Sequence, residues 1–321
     1  MDTRAVLLDR FGDPDVLRVA AVPLAAPGPA DVRLRVLATA VNPVDLHTRA
    51  GLIIGGTYPD LAPRFPMVLG WDAAGVVEEV GDQVRGWRPG DRAIVMVHQV
   101  ATQAGTHADQ LVLPAGLLAP WPGDADPATA AALPLAGLTA RQAVAALGLR
   151  PGDRVLVNGP LGAVGSLAVQ LARRAGARVA GVVRPADADR ARALGVEWLV
   201  DRDGDVAARA VAVAGGPLDA ALDVVGGAAA EATLAAVRDG GRSVTVVPRL
   251  AAGLPTPVRG IIRQAVYIVP DAARLAELSA LLGNGSLAIQ VGEVLPLDKA
   301  AEAHRLLASR SVTGRVVLAG N

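Results

Sequence analysis

Cysteine is absent from the 321 residues, lysine occurs once, at Lys299, and aromatic side chains make up only 2%. Without cysteine there can be no disulfide, no thiolate zinc site and no thiol nucleophile. Arginine is therefore the base almost everywhere, which reads as a compositional bias and not as a phosphate-binding surface. With so few rings, the 52% of residues that are hydrophobic must build a core from Ala, Val and Leu. Excess charge is missing too. The 31 basic and 31 acidic side chains balance, which removes the long-range attraction a nucleic-acid or anionic-membrane binder needs. The opening Met1-Asp2-Thr3-Arg4 lacks the basic-then-apolar pattern of a secretory leader. The longest uncharged run, Val155–Ala172, is interrupted by Asn158, Gly159, Pro160, Gly162 and Gly165. It reads as strand, turn and helix, not as a membrane span. A cytoplasmic protein with neither nucleic acid nor membrane as partner is expected.

What is present divides the chain by texture. Its length suggests about two domains. Short β-type runs at Val32–Val41, Ala73–Val80, Asp91–Val97 and Gln110–Leu113 are separated by clusters such as Pro27-Gly28-Pro29 and Pro89-Gly90-Asp91. They predict a mostly antiparallel β domain. Ala128–Ala146 predicts a helix. After Pro151-Gly152-Asp153, β-type runs recur at Arg154–Val157, Arg178–Val183, Trp198–Asp201, Ala220–Val225 and Arg242–Val247. Helical segments fill the gaps, among them Ser166–Ala175 and Ala188–Leu194, each stopping at a glycine. Such alternation predicts a parallel sheet with right-handed crossovers, and so an α/β fold. In the tail, two helical stretches (Asp271–Leu282, Leu297–Ala308) precede a lone β run, Gly314–Leu318, which is expected to return to the first domain.

The most informative segment is the strand at Arg154, followed by Gly159-Pro-Leu-Gly162-Ala163-Val164-Gly165 and a helix. Glycine can take positive φ and has no Cβ, so such a turn is tight and lets a pyrophosphate approach the helix N-terminus. The third glycine permits close packing of helix on sheet. Strand, turn and helix in that order, opening a βαβαβ run, predict a dinucleotide site. An NAD site places an acidic side chain at the end of the second strand. Here that strand ends at Arg184-Pro185, and an arginine can pair with the 2′-phosphate of NADPH. Arg190 and Arg202 are candidates for the same pocket. The alternative is that these are solvated surface arginines, and Asp187 would repel a phosphate if it faced the site.

The sequence resembles the medium-chain dehydrogenase/reductase superfamily, and within it the zinc-independent quinone oxidoreductases of the zeta-crystallin type. The likeness spans nearly the whole chain. It rests on Asn42-Pro43-Val44-Asp45, Gly70-Trp71-Asp72-Ala73-Ala74-Gly75, Pro89-Gly90-Asp91-Arg92, Leu133-Pro134-Leu135-Ala136-Gly137-Leu138-Thr139, the Gly159–Gly165 turn and Asp223-Val224-Val225-Gly226-Gly227. The resemblance implies a GroES-like, mostly β catalytic domain over residues 1–122. A Rossmann-type, doubly wound parallel-sheet domain would bind NADPH over 123–262, and 263–321 would return to the catalytic domain. Zinc-dependent members carry a catalytic cysteine where this chain has Asn42 and Gly-His-Glu where it has Gly70-Trp71-Asp72. No metal is therefore expected, and His47, His98, His107 and His304 lack ligand spacing.

By the same resemblance, Asn42 lies beside the nicotinamide ribose and substrate, and Thr139 contacts the cofactor. Val225, Val246 and Val247 flank the nicotinamide from the ends of the fourth and fifth strands, and Arg315 lies near the cofactor. Gly159, Gly162, Ala163, Val164 and Gly165 hold its pyrophosphate. Tyr58, in the loop Gly51–Pro66, and His47 are rival proton donors, with packing or surface positions as the alternative for each. Two departures stand out: Pro160-Leu161 replaces the family's Ala-Ser, and Asp187 occupies a place where some relatives have a lysine. The expected activity is hydride transfer from NADPH to a quinone or an activated enone. Two alternatives stay open: a biosynthetic enoyl reductase acting on a polyketide or acyl thioester, and an NADPH-binding protein with a non-redox role such as cyclisation. A homodimer paired through Arg242–Val247 or Val266–Val269 is the expected assembly.

Overall fold

The structure is a computed structural model that describes residues 1–54, 56–247 and 258–320. The chain forms two units, Met1–Leu135 with Val269–Asn321, and Ala136–Ile268.

In the first unit the chain runs β1 (Asp2–Leu8), β2 (Leu17–Pro23), β3 (Asp31–Val41), α1 (Pro43–Arg49), β4 (Met67–Val68), β5 (Asp72–Val80) and β6 (Arg92–Met96). It continues through α2 (Gln99–Thr102), β7 (Gln110–Pro114), β8 (Leu118–Pro120) and α3 (Pro127–Ala131). The helix α4 (Pro134–Leu147) carries the chain out of this unit. Ala128–Ala146 is thus two helices, not the single one expected. Pro134 lacks an N–H and disfavours helical geometry at Leu133, so it starts a new helix instead of continuing the old one.

The second unit holds β9 (Arg154–Asn158), α5 (Ala163–Arg174), β10 (Arg178–Val183), α6 (Ala188–Leu194), β11 (Trp198–Asp201) and α7 (Val206–Ala214). It closes with β12 (Leu218–Asp223), α8 (Ala228–Ala235), β13 (Val237–Thr245) and β14 (Ile262–Ala265). Its strands pair in parallel in the order β11-β10-β9-β12-β13-β14. Buried Leu156, Ala180, Val200, Leu218 and Ala221 form one face of its core, against Val206, Ala210 and Leu234 of the crossover helices. Of the two segments expected to pair copies of the chain, β13 is interior, between β12 and β14, and residues 266–269 are not a strand. Among the described residues, the edge on that side is β14.

The tail adds α9 (Ala272–Gly283), β15 (Val291–Pro296), α10 (Ala300–Ser309) and β16 (Arg315–Ala319). β16 joins the first unit's large sheet, β15-β16-β3-β5-β6-β8, in which β7 also pairs with β3. β3 is antiparallel to both β5 and β16. Its carboxyl end therefore meets the beginnings of both neighbours, and the register Val316↔Val41 sets Arg315 beside Asn42. No described helix is long and apolar enough to cross a membrane.

Candidate active site

In the second unit the site is built on strand ends. Gly159 follows β9 with φ +82°, a conformation side chains rarely adopt, and a Cβ there would meet Val225 at 2.8 Å. Gly162 is the N-cap of α5, and its N–H donates to Gly159 O at 3.2 Å. At Gly165, inside the first turn, a Cβ would stand 2.0 Å from Gly159 O, so only glycine lets the helix lie this close to the turn. The N–H groups of Ala163, Val164 and Gly165 fall in that first turn, where no helical acceptor exists and the helix dipole favours an anion. This cradle fits a dinucleotide pyrophosphate.

Val225, Val246 and Val247 lie beyond the carboxyl ends of β12 and β13, where open parallel sheets bind ligands. Val225 is 44% exposed and Val247 38%, unusual freedom for apolar groups next to a core. The strand expected at Ala220–Val225 stops at Asp223. Its carboxylate accepts N–H bonds from Val225 and Gly226, and Asn158 Nδ2 and Thr245 Oγ1 donate to it at 2.8 and 2.9 Å. One side chain thus ties together the ends of β9, β12 and β13. Sequence reasoning did not single out Asp223 for this, although an acid between an apolar run and Gly226-Gly227 was the available signal.

Arg184 directly follows β10 and Arg202 follows β11, its N–H donating to Val183 O. Arg190 lies on α6. Arg184 and Arg190 both pair with Asp187, and Arg202 pairs with Asp203. Thr139 lies largely buried on α4.

In the first unit, Asn42, Asp45, Asp72 and Arg315 form a buried network. Asn42 Nδ2 donates to Asp72 Oδ2 at 2.9 Å and to Ala40 O at 3.2 Å, and Arg315 donates to Asn42 Oδ1 at 2.7 Å. Leu135 N–H donates to the other oxygen of Asp72, and Arg315 stands 3.6 Å from its Oδ2. Asp45 accepts the N–H groups of Asn42 and Gly70 at 2.8 and 3.1 Å. Both hydrogens of the Asn42 amide are committed inside the protein. Burial pushes both carboxyls up to about 7, against the opposing pull of their hydrogen bonds and of Arg315, while burial also lowers the Arg315 guanidinium. Asp45, Asp72 and the buried position of Arg315 were not foreseen as one constellation.

Among the described residues, neither Tyr58 nor His47 forms a hydrogen bond or ion pair with this network. Tyr58 is 37% exposed in the loop after α1, in which residue 55 lies outside the described residues, and its N–H donates to Ile53 O. His47 is exposed on α1. Of the other histidines, His98 caps α2, while His107 and His304 are fully buried. Burial drives His107 down to about 4.

Residues 28–123 match the alcohol dehydrogenase GroES-like domain and residues 194–318 the zinc-binding dehydrogenase family. The chain is 32% identical to a quinone oxidoreductase of Pseudomonas aeruginosa (96% of this chain, 97% of that protein). It is 30% identical to a 2-haloacrylate reductase of a Burkholderia species (98% of each). A solved NAD-dependent alcohol dehydrogenase superposes with a TM-score of 0.86 at 33% identity over 99% of this chain and all of that one. Similarity also reaches the spectinabilin polyketide synthase system protein NorB of Streptomyces orinoci, at 35% identity over 93% of this chain, which spans 13% of that protein.

A catalytic zinc needs about three protein ligands. The amide of Asn42 and the carboxylate of Asp72 instead hold each other and a guanidinium, whose charge would oppose a cation there. No group of three His, Cys, Asp or Glu among the described residues could hold a metal. The donor set does not fit zinc, whereas the glycine cradle fits a dinucleotide. With matches of this extent on both units, the chain belongs to the medium-chain dehydrogenase/reductase superfamily, in the zeta-crystallin-like group of quinone oxidoreductases, as an oxidoreductase that uses a nicotinamide dinucleotide.

Proposed function

We propose that this oxidoreductase is an NADPH-dependent, zinc-independent reductase of quinones or activated enones. The observation that carries the reading is the Asn42–Asp72–Arg315 network, where a hydrogen-bonded ion cluster stands in place of metal ligands. Without a Lewis acid, an alkoxide formed from a simple ketone lacks its usual stabilisation. A quinone or enone needs less help, because the charge arriving at carbon delocalises onto oxygen.

The bound reduced nicotinamide supplies the hydride. The chain's own residues bind, orient and protonate. The first-turn N–H groups of α5 hold the pyrophosphate, and Arg184, with Arg190 and Arg202 nearby, reads the 2′-phosphate. Val225, Val246 and Val247 offer the nicotinamide an apolar wall that excludes water, and Thr139 assists its placement. Asn42 and Arg315, joined by one side-chain hydrogen bond, support the ribose side. The oxyanion left on the acceptor takes a proton from the Tyr58 hydroxyl, with His47 as the rival donor. We further propose a cytoplasmic homodimer.

The test is NADPH oxidation, followed by its near-ultraviolet absorbance, against quinones, enones and acyl thioesters with EDTA present. Turnover of a quinone or enone that EDTA leaves unchanged is expected. The similarity to NorB favours a second reading, reduction of an unsaturated acyl thioester, and turnover of the thioesters alone would select it. Tyr58→Phe is expected to lower kcat while leaving NADPH affinity intact, and an unchanged kcat would pass the donor role to His47 or water.

A further inference from the structure

Asp187 has no part in the reading above, yet it sits among the groups assigned to the 2′-phosphate. It ends the one-turn 3-10 segment Pro185–Asp187, directly after Arg184. Its Oδ2 accepts from Arg184 Nε at 2.6 Å and its Oδ1 from Arg190 at 3.1 Å. The carboxylate side chain is 14% exposed, against 57% and 41% for the two arginines. Asp187 is also the N-cap of α6, but its side chain makes no capping hydrogen bond there. Helix capping therefore does not explain its presence. Among the described residues, its side-chain partners are the two cations.

We propose that Asp187 is a specificity-determining residue that occupies Arg184 and Arg190 as an internal anion, competes with the 2′-phosphate of NADPH for them, and so restrains the preference for NADPH over NADH. The proposal rests on Arg184 being the phosphate-reading residue.

The charges make the case. Arg184, Asp187 and Arg190 together carry a net charge of +1, where the two arginines alone would present +2 to a dianionic phosphate. One edge of the Arg184 guanidinium, the Nε side, is already spent on Asp187, leaving its two terminal nitrogens for a ligand. A phosphate arriving at these arginines must either share them with a carboxylate, at the cost of like-charge repulsion, or displace it. Arg184 holds the Asp187 carboxyl below the usual carboxylate range, so the competing charge persists at any working pH. Because both arginines are exposed, each ion pair is modest and screened by salt. The phosphate is handicapped but not excluded. NADH carries no 2′-phosphate and is indifferent to the contest.

The experiment compares Asp187→Asn, Asp187→Ser and Arg184→Ala with the unmodified enzyme by titrating NADPH and NADH fluorescence, a binding readout that needs no acceptor. Thermal melts confirm that each variant is folded. Both Asp187 variants are expected to bind NADPH about fivefold more tightly and NADH unchanged, the size of effect a single exposed ion pair supports. Raised salt should shrink the gain. If they bind NADPH more weakly, Asp187 positions the arginines and the proposal is overturned. It is equally overturned by weaker NADH binding, which would make Asp187 a ligand of the ribose hydroxyls, or by no change. Arg184→Ala separates the two levels. If that variant binds NADPH unchanged, the phosphate assignment itself fails. If it weakens NADPH while the Asp187 variants change nothing, only the competition fails.

Discussion

Asn42, Asp72 and Arg315 make sense only as a set. A buried guanidinium stripped of its carboxylates, or the reverse, leaves an uncompensated charge, which costs far more than the intact network contributes. Arg315→Met is therefore expected to lower stability by about 3–5 kcal/mol, measured by urea unfolding. The pH dependence follows from two carboxyls raised to about 7 in the fold, against an ordinary aspartate value of 3.8. Between those values the fold keeps protons that the unfolded chain releases. The stability this contributes is complete below 3.8 and is lost as pH rises through about 7. Asp72→Asn removes that dependence at one site. The difference in unfolding free energy between variant and parent should move in the variant's favour between about pH 5 and pH 8. A difference independent of pH would mean that Asp72 is ionised in the fold throughout. Buried His107 acts in the opposite sense, withdrawing stability as pH falls from 6.5 toward 4, so comparison with the parent is what isolates the carboxyl. None of this was legible residue by residue. In the sequence Asn42 and Asp72 stand out only as departures from zinc ligands, because their partner lies 273 positions away from Asn42.

At the scale of elements, the glycine turn separates two kinds of requirement. Gly165→Ala would drive a Cβ to 2.0 Å from Gly159 O, so α5 must shift, and both stability and cofactor affinity should fall. Gly162 has ordinary φ, −77°, and the nearest atom to a Cβ there is 3.6 Å away. Gly162→Ala should leave the melting temperature nearly unchanged while weakening dinucleotide binding, because its methyl group would enter only the space the phosphates use. Equal binding by this variant and its parent would move the pyrophosphate elsewhere. Strand and helix order in this unit was readable because periodicity and turn residues are local signals. Ends were harder to read. Val224 and Val225 look like strand residues, yet the carboxylate of Asp223 captures the following N–H groups and starts the turn early. The helix expected over Ala128–Ala146 is divided at Pro134, which disfavours helical geometry at Leu133 despite the run of alanines around it.

For the whole molecule, β14 is one edge of the six-stranded sheet among the described residues, and its Ile262 is 53% exposed. Unpaired strand edges invite pairing, and a second copy is the occupant that fits the proposed homodimer. Light scattering should return twice the chain mass of 32.5 kDa, and Ile262→Lys should shift it toward the monomer. A monomeric parent protein would remove the dimer.

By itself the sequence determined the α/β alternation, the glycine cradle and the exclusion of thiol chemistry, since each depends on composition or on neighbours within one turn or strand. Only the tertiary structure decided which side chains meet. The antiparallel register of β3 with β5 and β16 set Asn42 against Asp72 and Arg315, and the turn after β10 folded Asp187 back onto Arg184. Local chemistry writes the elements, but register and burial choose the partners, because those are settled only when distant segments pack.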